Sequence, residues 1–186
     1  MRVAVADGPG QGNAGEAAGA APERNRDAKS SGQNEDSRML IRTSRFGQVD
    51  VDESRLITFP KGLLGFPTHK RFVLLEPAKD GYFWWLQSVD AADVAFVVTD
   101  PSLFVSTYRV PIRPDQMEEW GMGSLEEAQV FVVVNKHGEM LTGNLQGPLV
   151  INVARRIGEQ LVLSDRRYTT RVPLVELAAK VTAQSA

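Results

Sequence analysis

Residues 83–100, reading FWWLQSVDAADVAFVVTD, place the tightest limit on how this chain folds. Phe83-Trp84-Trp85-Leu86-Gln87-Ser88-Val89 is aromatic and apolar, and Val94-Ala95-Phe96-Val97-Val98-Thr99 is apolar and rich in β-branched residues. The small acidic run Asp90-Ala91-Ala92-Asp93 separates them. This is the composition of two strands joined by a polar turn. Neighbours in a strand point to opposite faces, so only one of Trp84 and Trp85 faces a given core. The other must lie under a loop, in a second cluster or at a binding surface. A covering loop is the ordinary solution, because large aromatics are mostly buried.

The rest of the chain has the same texture from Arg38 onward. Short apolar or alternating runs at residues 39–43, 46–51, 56–59, 72–75, 105–112, 131–134, 140–145, 149–152 and 160–163 are strand candidates. Pro60-Lys61-Gly62-Leu63-Leu64-Gly65-Phe66-Pro67 is an irregular loop, yet it carries three large apolar residues. Such a loop tucks onto a core, and Gly62 and Gly65 would supply the positive φ that turns Leu63 and Phe66 inward. Residues 136–139 form a tight hairpin turn, and residues 155–159 a basic turn around Gly158. A short helix is predicted at residues 114–120, with proline in its first turn and Gly121 as its stop. Ser124-Leu125-Glu126-Glu127 matches a capping box, and residues 174–181 suit a short terminal helix. Many short strands between turn signals indicate a sandwich or a small barrel.

At 186 residues one domain is expected, and 42% apolar residues suffice for its core. Residues 1–37 have no aromatic residue and no apolar period, so they are expected to be a disordered extension; an expression artefact or misassigned start codon are the alternatives. The β domain is placed at residues 38–174 and a C-terminal tail at residues 175–186. There is no cysteine, which excludes disulfides and thiolate chemistry. No run approaches the ~20 apolar residues that span a bilayer, and the N-terminus lacks a secretory pattern, so a cytoplasmic address follows by elimination. A pI near 5.7 argues against a protein that chiefly neutralises phosphates.

Catalytic patterns are missing from the sequence. His69 and His137 each stand without a second histidine at helical spacing, so both are expected to be surface residues rather than metal ligands. Asp90, Asp93 and Asp100 lie near the aromatic strand pair, and paired carboxylates can serve glycoside hydrolysis; turn formation is the ordinary role of Asp here. Ser88 and Ser164 lack a nucleophile-elbow setting, and no glycine-rich loop has a nucleotide-binding spacing. No cofactor is expected. Charge is uneven along the chain. Residues 76–134 hold ten acids against three bases, an excess of seven, while residues 38–75 hold seven bases against three acids. Either folding interleaves these segments, or an acidic face remains to attract a basic partner.

Phe83-Trp84-Trp85-Leu86-Gln87-Ser88-Val89-Asp90 followed by Ala95-Phe96-Val97-Val98-Thr99-Asp100-Pro101 closely resembles the signature of the flagellar assembly factor FliW family. Further matches follow in family order: Phe46-Gly47, Ile57-Thr58-Phe59, Gly62-Leu63-Leu64-Gly65-Phe66, Gly143-Asn144-Leu145, Pro148-Leu149-Val150-Ile151-Asn152, Gly158-Glu159-Gln160-Leu161-Val162-Leu163 and Tyr168-Thr169-Thr170-Arg171. The resemblance covers about residues 39–174. It departs from the family pattern in the N-terminal tail, in the short hairpin at residues 136–139, and in Gly143 and Gly147, where alanines are expected.

The resemblance implies a mostly β, small single-domain β-barrel-like fold of short strands with one or two short helices, and no catalysis. It implies a cytoplasmic regulator that binds CsrA, a small RNA-binding dimer, and relieves its repression of flagellin translation. It implies binding of flagellin too, with no direct contact to nucleic acid or membrane. The alternative is a flagellin-specific secretion chaperone without a role in translation. Within this frame Pro101 should end the ladder that precedes it, so Ser102-Leu103-Phe104 should emerge at an edge or rim. Asp90, Asp93, Asp100, Leu103 and Phe104 are therefore the expected partner-binding residues, apolar anchors beside carboxylates that would meet a basic RNA-binding protein.

Overall fold

The computed structural model describes residues 2–3, 37–77 and 81–177. The described strands are β1 (Arg2–Val3), β2 (Arg38–Thr43), β3 (Gly47–Asp52), β4 (Ile57–Thr58), β5 (Arg71–Glu76), β6 (Trp84–Ser88), β7 (Ala95–Thr99), β8 (Ala128–His137), β9 (Met140–Gly143), β10 (Leu149–Asn152), β11 (Ile157–Gln160) and β12 (Val172–Glu176). One α-helix, α1 (Pro114–Trp120), and three 3-10 turns at Glu53–Arg55, Pro101–Leu103 and Leu125–Glu127 complete the described elements. Strands β8, β10, β11, β4, β5, β6 and β7 are each bonded to the next, and β7 returns to β8. These seven strands close a ring, which gives the barrel-like form. The narrowest joint is parallel, with Ile157 opposite Thr58 and the Thr58 N–H donating to the Arg156 carbonyl at 2.8 Å.

Strand β8 closes the ring by changing partners. One edge holds β7, with Val97 opposite Val134 and Thr99 opposite Val132. The other edge holds β10 along residues 128–131, then β9 along residues 134–137. Beyond β9, the strand β12 adds an outer edge.

Alternation along these strands sorts the apolar residues into three layers. Phe72, Leu74, Leu86, Val98, Phe131, Leu149 and Ile151 point into the ring together with Ile57, Phe59 and Leu63. Phe59 meets Phe72 edge to face at 5.6 Å, and truncating either would cost about 3–5 kcal/mol. The outward residues of β5, Val73 and Leu75, are covered by the β2–β3 hairpin through Ile41, Val49 and Val51. The outward residues of β8 and β10, Val132 and Val150, are covered by Tyr108, Trp120, Leu145 and Leu161. Trp84 packs with the ring interior and Trp85 with the hairpin layer. The second tryptophan thus completes a second cluster. Phe46 meets it edge to face at 5.8 Å, and the Arg45 guanidinium lies over its ring at 4.4 Å.

Several expectations need correction. Residues 105–112 are not a strand. Val105, Tyr108, Val110 and Ile112 pack on the outer layer, so their apolar spacing reflects burial without a ladder. Residues 174–176 belong to β12, paired with β9, rather than to a terminal helix; the remainder of that expected helix beyond residue 177 lies outside the described residues. In the segment expected to be a basic turn, residues 153–156 turn and Gly158 and Glu159 lie within β11, and residues 161–163 continue as bonded but non-strand chain. Leu125–Glu127 is a helical turn, but Ser124 makes no side-chain cap. The Glu127 carboxylate instead accepts from the Gly123 N–H at 3.1 Å. Apart from Arg2–Val3, which pairs with β5, and Ser37, whose carbonyl accepts from Glu53, the expected disordered extension lies outside the described residues.

The loop at residues 60–67 turns Leu63 into the ring and Phe66 against Phe96 at 5.0 Å, while Leu64 is 59% exposed. Gly62 and Gly65 adopt φ of +69° and +83°. A Cβ at Gly62 would stand 2.7 Å from the Phe66 carbonyl oxygen and from Pro67, whereas one at Gly65 meets open space. Gly65→Ala therefore carries only the backbone cost, about 1 kcal/mol, and Gly62→Ala adds overpacking of about 1–3 kcal/mol. Urea denaturation of both variants should rank Gly62→Ala as clearly the less stable. Equal midpoints would show that the close approach at Gly62 is not enforced.

Candidate functional site

The structure divides the five expected site residues between opposite ends of β7. Asp90 and Asp93 lie in the turn before the strand, and Asp100, Leu103 and Phe104 lie in the segment after it. Five residues of strand, roughly 17 Å, separate the two groups.

The acidic turn is held from below. Gln87 is fully buried, and its amide donates to the carbonyls of Ser88 at 2.9 Å, Ala91 at 3.2 Å and Val94 at 3.1 Å. The Ser88 hydroxyl accepts from the N–H groups of Asp90 and Ala91, each at 3.2 Å. Asp90 is paired within the fold. The Arg71 guanidinium donates to its Oδ1 at 2.6 and 3.1 Å. Partial burial alone would raise the Asp90 pKa, but the hydrogen bond and charge of Arg71 outweigh it and hold the carboxyl below its usual range. A carboxylate kept ionised in this way is unsuited to general-acid work. Asp93 is exposed.

At the other end of β7, Asp100 starts the 3-10 turn. Its Oδ1 accepts from the Ser102 N–H at 2.8 Å and from the Ser102 hydroxyl at 2.6 Å, and its Oδ2 accepts from the Gln129 amide at 3.1 Å. The turn presents Leu103, which is 50% exposed, and half-buries Phe104. The Phe104 ring stacks on Phe83 at 5.8 Å and lies 6.4 Å from Tyr82. Tyr82 is itself about half exposed and is tied to β7 by its carbonyl, which accepts from the Thr99 hydroxyl. Leu103, Phe104, Phe83 and Tyr82 thus make an aromatic rim at the end of the ring. Beside it runs a groove of about 330 Å³ between the 3-10 turn, residues 108–112 and the start of β8. Asp100, Arg109, Ile112, Leu125 and Val130 are among its walls. One wall is fixed by Tyr108, whose buried hydroxyl donates to the Leu145 carbonyl at 2.8 Å and whose pKa burial pushes well up.

Sequence reasoning missed Tyr82, Leu125, Gln129 and the groove itself. Tyr82 follows the turn-forming run Pro77 to Gly81, and Leu125 sits in an apparent capping box; neither setting signals a surface. Pairing of β6, β7 and β8 is what brings Tyr82 to Phe104 and Gln129 to Asp100. Charge interleaves in part, since Arg71 meets Asp90 and Lys61 reaches Glu119 at 3.3 Å and Glu159 at 2.9 Å. Among the described residues no group of three or more His, Asp or Glu side chains is placed to hold a metal. No helix there is long and apolar enough to cross a membrane.

Asp90→Asn should lower stability at neutral pH by less than about 1 kcal/mol, because the pair is partly solvated. The folded-state pKa of Asp90 is depressed. Its contribution is therefore present above the ordinary value of 3.8 and disappears as pH falls through the lower folded value. Denaturation of parent and variant between pH 2 and pH 7 should show curves that converge at the acid end. A difference that persists undiminished at the lowest pH would mean that the ion pair is not its source.

Comparison with known proteins places this architecture. Residues 40–174 match the family described as FliW protein. A flagellar assembly factor FliW of Leptospira interrogans is 38% identical over 142 residues, covering 75% of this chain and 95% of the relative. One from Geobacter sulfurreducens is 40% identical over 144 residues, covering 76% of this chain and 90% of the relative. A crystal structure of the flagellar assembly factor FliW superposes with a TM-score of 0.68 at 30% identity, covering 74% of this chain and 97% of the other. The match spans the whole strand ring, both covering layers and the aromatic rim, and the chain belongs to the FliW family of flagellar assembly factors.

Proposed function

We propose that this protein acts in flagellar assembly as a binding switch, holding a CsrA-type RNA-binding regulator until flagellin displaces it. Free flagellin would then release the regulator to repress flagellin translation, and export of flagellin would free the protein to sequester the regulator again. The observation that carries the reading is the aromatic rim. Leu103 stands half exposed, and Phe104 is braced by Phe83 and Tyr82 at the point where the β7 ladder stops. Half-exposed aromatics with rigid support are the usual anchors of protein interfaces. The segment around them keeps an acidic excess, which suits a partner whose own surface must attract RNA phosphates. An acidic protein seated beside that surface would repel RNA without covering the RNA site.

The test is a competition. Purified flagellin titrated into a complex of this protein with the CsrA-type regulator should release the regulator. A complex that survives saturating flagellin contradicts the switch, and binding to flagellin alone would leave a secretion chaperone. Phe104→Ala should weaken the regulator complex by about 2 kcal/mol or more, mainly through faster dissociation. Charge reversal at exposed Asp93 isolates steering, because Asp100 also caps its turn and its reversal would disturb the fold. If the Phe104 variant dissociates like the parent, the rim is not the anchor.

A further inference from the structure

We infer that the groove beside the rim takes an extended segment of a basic protein partner, which adds to β8 as a further strand. This rests on the protein-binding reading above and says how that surface is used. The β7 ladder ends with Thr99 opposite Val132, while β8 begins four residues earlier at Ala128. Residues 128–131 are paired with β10 on their other edge only. The direction of their backbone groups follows from the ladder. The Val153 N–H donates to the Glu127 carbonyl at 3.0 Å, so Glu127, Gln129 and Phe131 turn their polar groups to β10, and Ala128 and Val130 turn theirs away from it. The Ala128 N–H closes the preceding 3-10 turn by donating to Leu125, and the Val130 carbonyl accepts from the Gln129 side chain at 3.3 Å. The Val130 N–H and the Ala128 carbonyl remain directed at the groove.

This edge lacks the protection that the outer edge strand β12 carries. Strand β12, at the far end of the sheet, has Pro173 and a register shift between Pro173 and Val175, both of which block further pairing. Residues 128–131 read Ala-Gln-Val-Phe, with no proline and no charge. Asp100 stands at one end of the groove and exposed Glu126 follows Leu125 of its wall, while the Arg109 guanidinium is engaged with the carbonyls of Ser106 and Tyr108. An added strand would alternate between the apolar wall of Val110, Ile112 and Val130 and this acidic margin. The matching occupant is a segment of alternating apolar and basic residues.

Val130→Pro removes the donor that an added strand needs and leaves the β10 ladder intact, since Val130 does not bond to β10. With the recombinant CsrA-type regulator as probe, this variant should bind roughly tenfold more weakly while its melting temperature stays close to the parent's. On the parent, hydrogen exchange at the Val130 amide should slow about tenfold or more at saturating regulator. If the parent binds the regulator but the Val130 amide exchanges as in the free protein, the added strand is wrong while the binding function stands. That measurement decides even if Val130→Pro fails to fold. If the parent binds no regulator, the functional reading falls and this one with it. Protection of Val130 already in the free full-length chain, lost when residues 1–36 are removed, would assign the groove to the chain's own N-terminal segment and overturn a partner.

Discussion

The ten-residue strand β8 is the element on which the rest depends. It is bonded to β7 on one edge and to β10 and then β9 on the other, so it both closes the ring and carries the outer extension. Without its change of partner the sheet would stay open, and the interior around Phe59, Phe72 and Phe131 would face water. Its length is also what leaves an edge free. β7 has five residues and β8 has ten, so part of β8 must run past its neighbour.

Burial on both faces explains the texture of the sequence. In a sheet with one solvated face, strands alternate apolar and polar. Here Phe72-Val73-Leu74-Leu75 are all buried, two in the ring and two under the β2–β3 hairpin. The adjacent tryptophans obey the same rule. Trp84 meets Phe131 edge to face at 5.5 Å inside, and Trp85 meets Phe46 outside. The β2–β3 hairpin covers one group of outward residues, and α1 together with residues 105–112 and the chain at Leu145 and Leu161 covers the other.

What was legible in the sequence follows from this physics. Continuous apolar runs bounded by turn residues located most strands, and Gly62 and Gly65 announced their positive φ by standing around inward apolar residues. The alternation of residues 105–112 misled, because a segment packed on a layer and a strand in a ladder bury side chains at similar spacing. β12 was hidden because Leu174 and Val175 sit among helix-forming residues, and only the register with β9 makes them a strand; Leu174 also fills the space over Gly143, its closest atom 3.0 Å from where a Cβ would stand. At the candidate site, the sequence named single residues but did not show how the fold groups them. Asp90 and Asp93 are near Leu103 and Phe104 in sequence, yet a strand holds them apart, and the neighbours that matter to Phe104 are Tyr82 and Phe83. Asp100 has its own duty as a cap, which sequence proximity to an acidic run concealed.

The central claim is that one end of the ring, where β7 stops and β8 runs on, is the binding surface. Mapping of backbone and methyl NMR shifts on titration with the CsrA-type regulator tests it most directly. The account predicts perturbations concentrated at Tyr82, Phe83, residues 100–104, Leu125 and residues 128–130. A map centred instead on the hairpin at residues 136–139 or on β2 and β3, with the rim unperturbed, would contradict it.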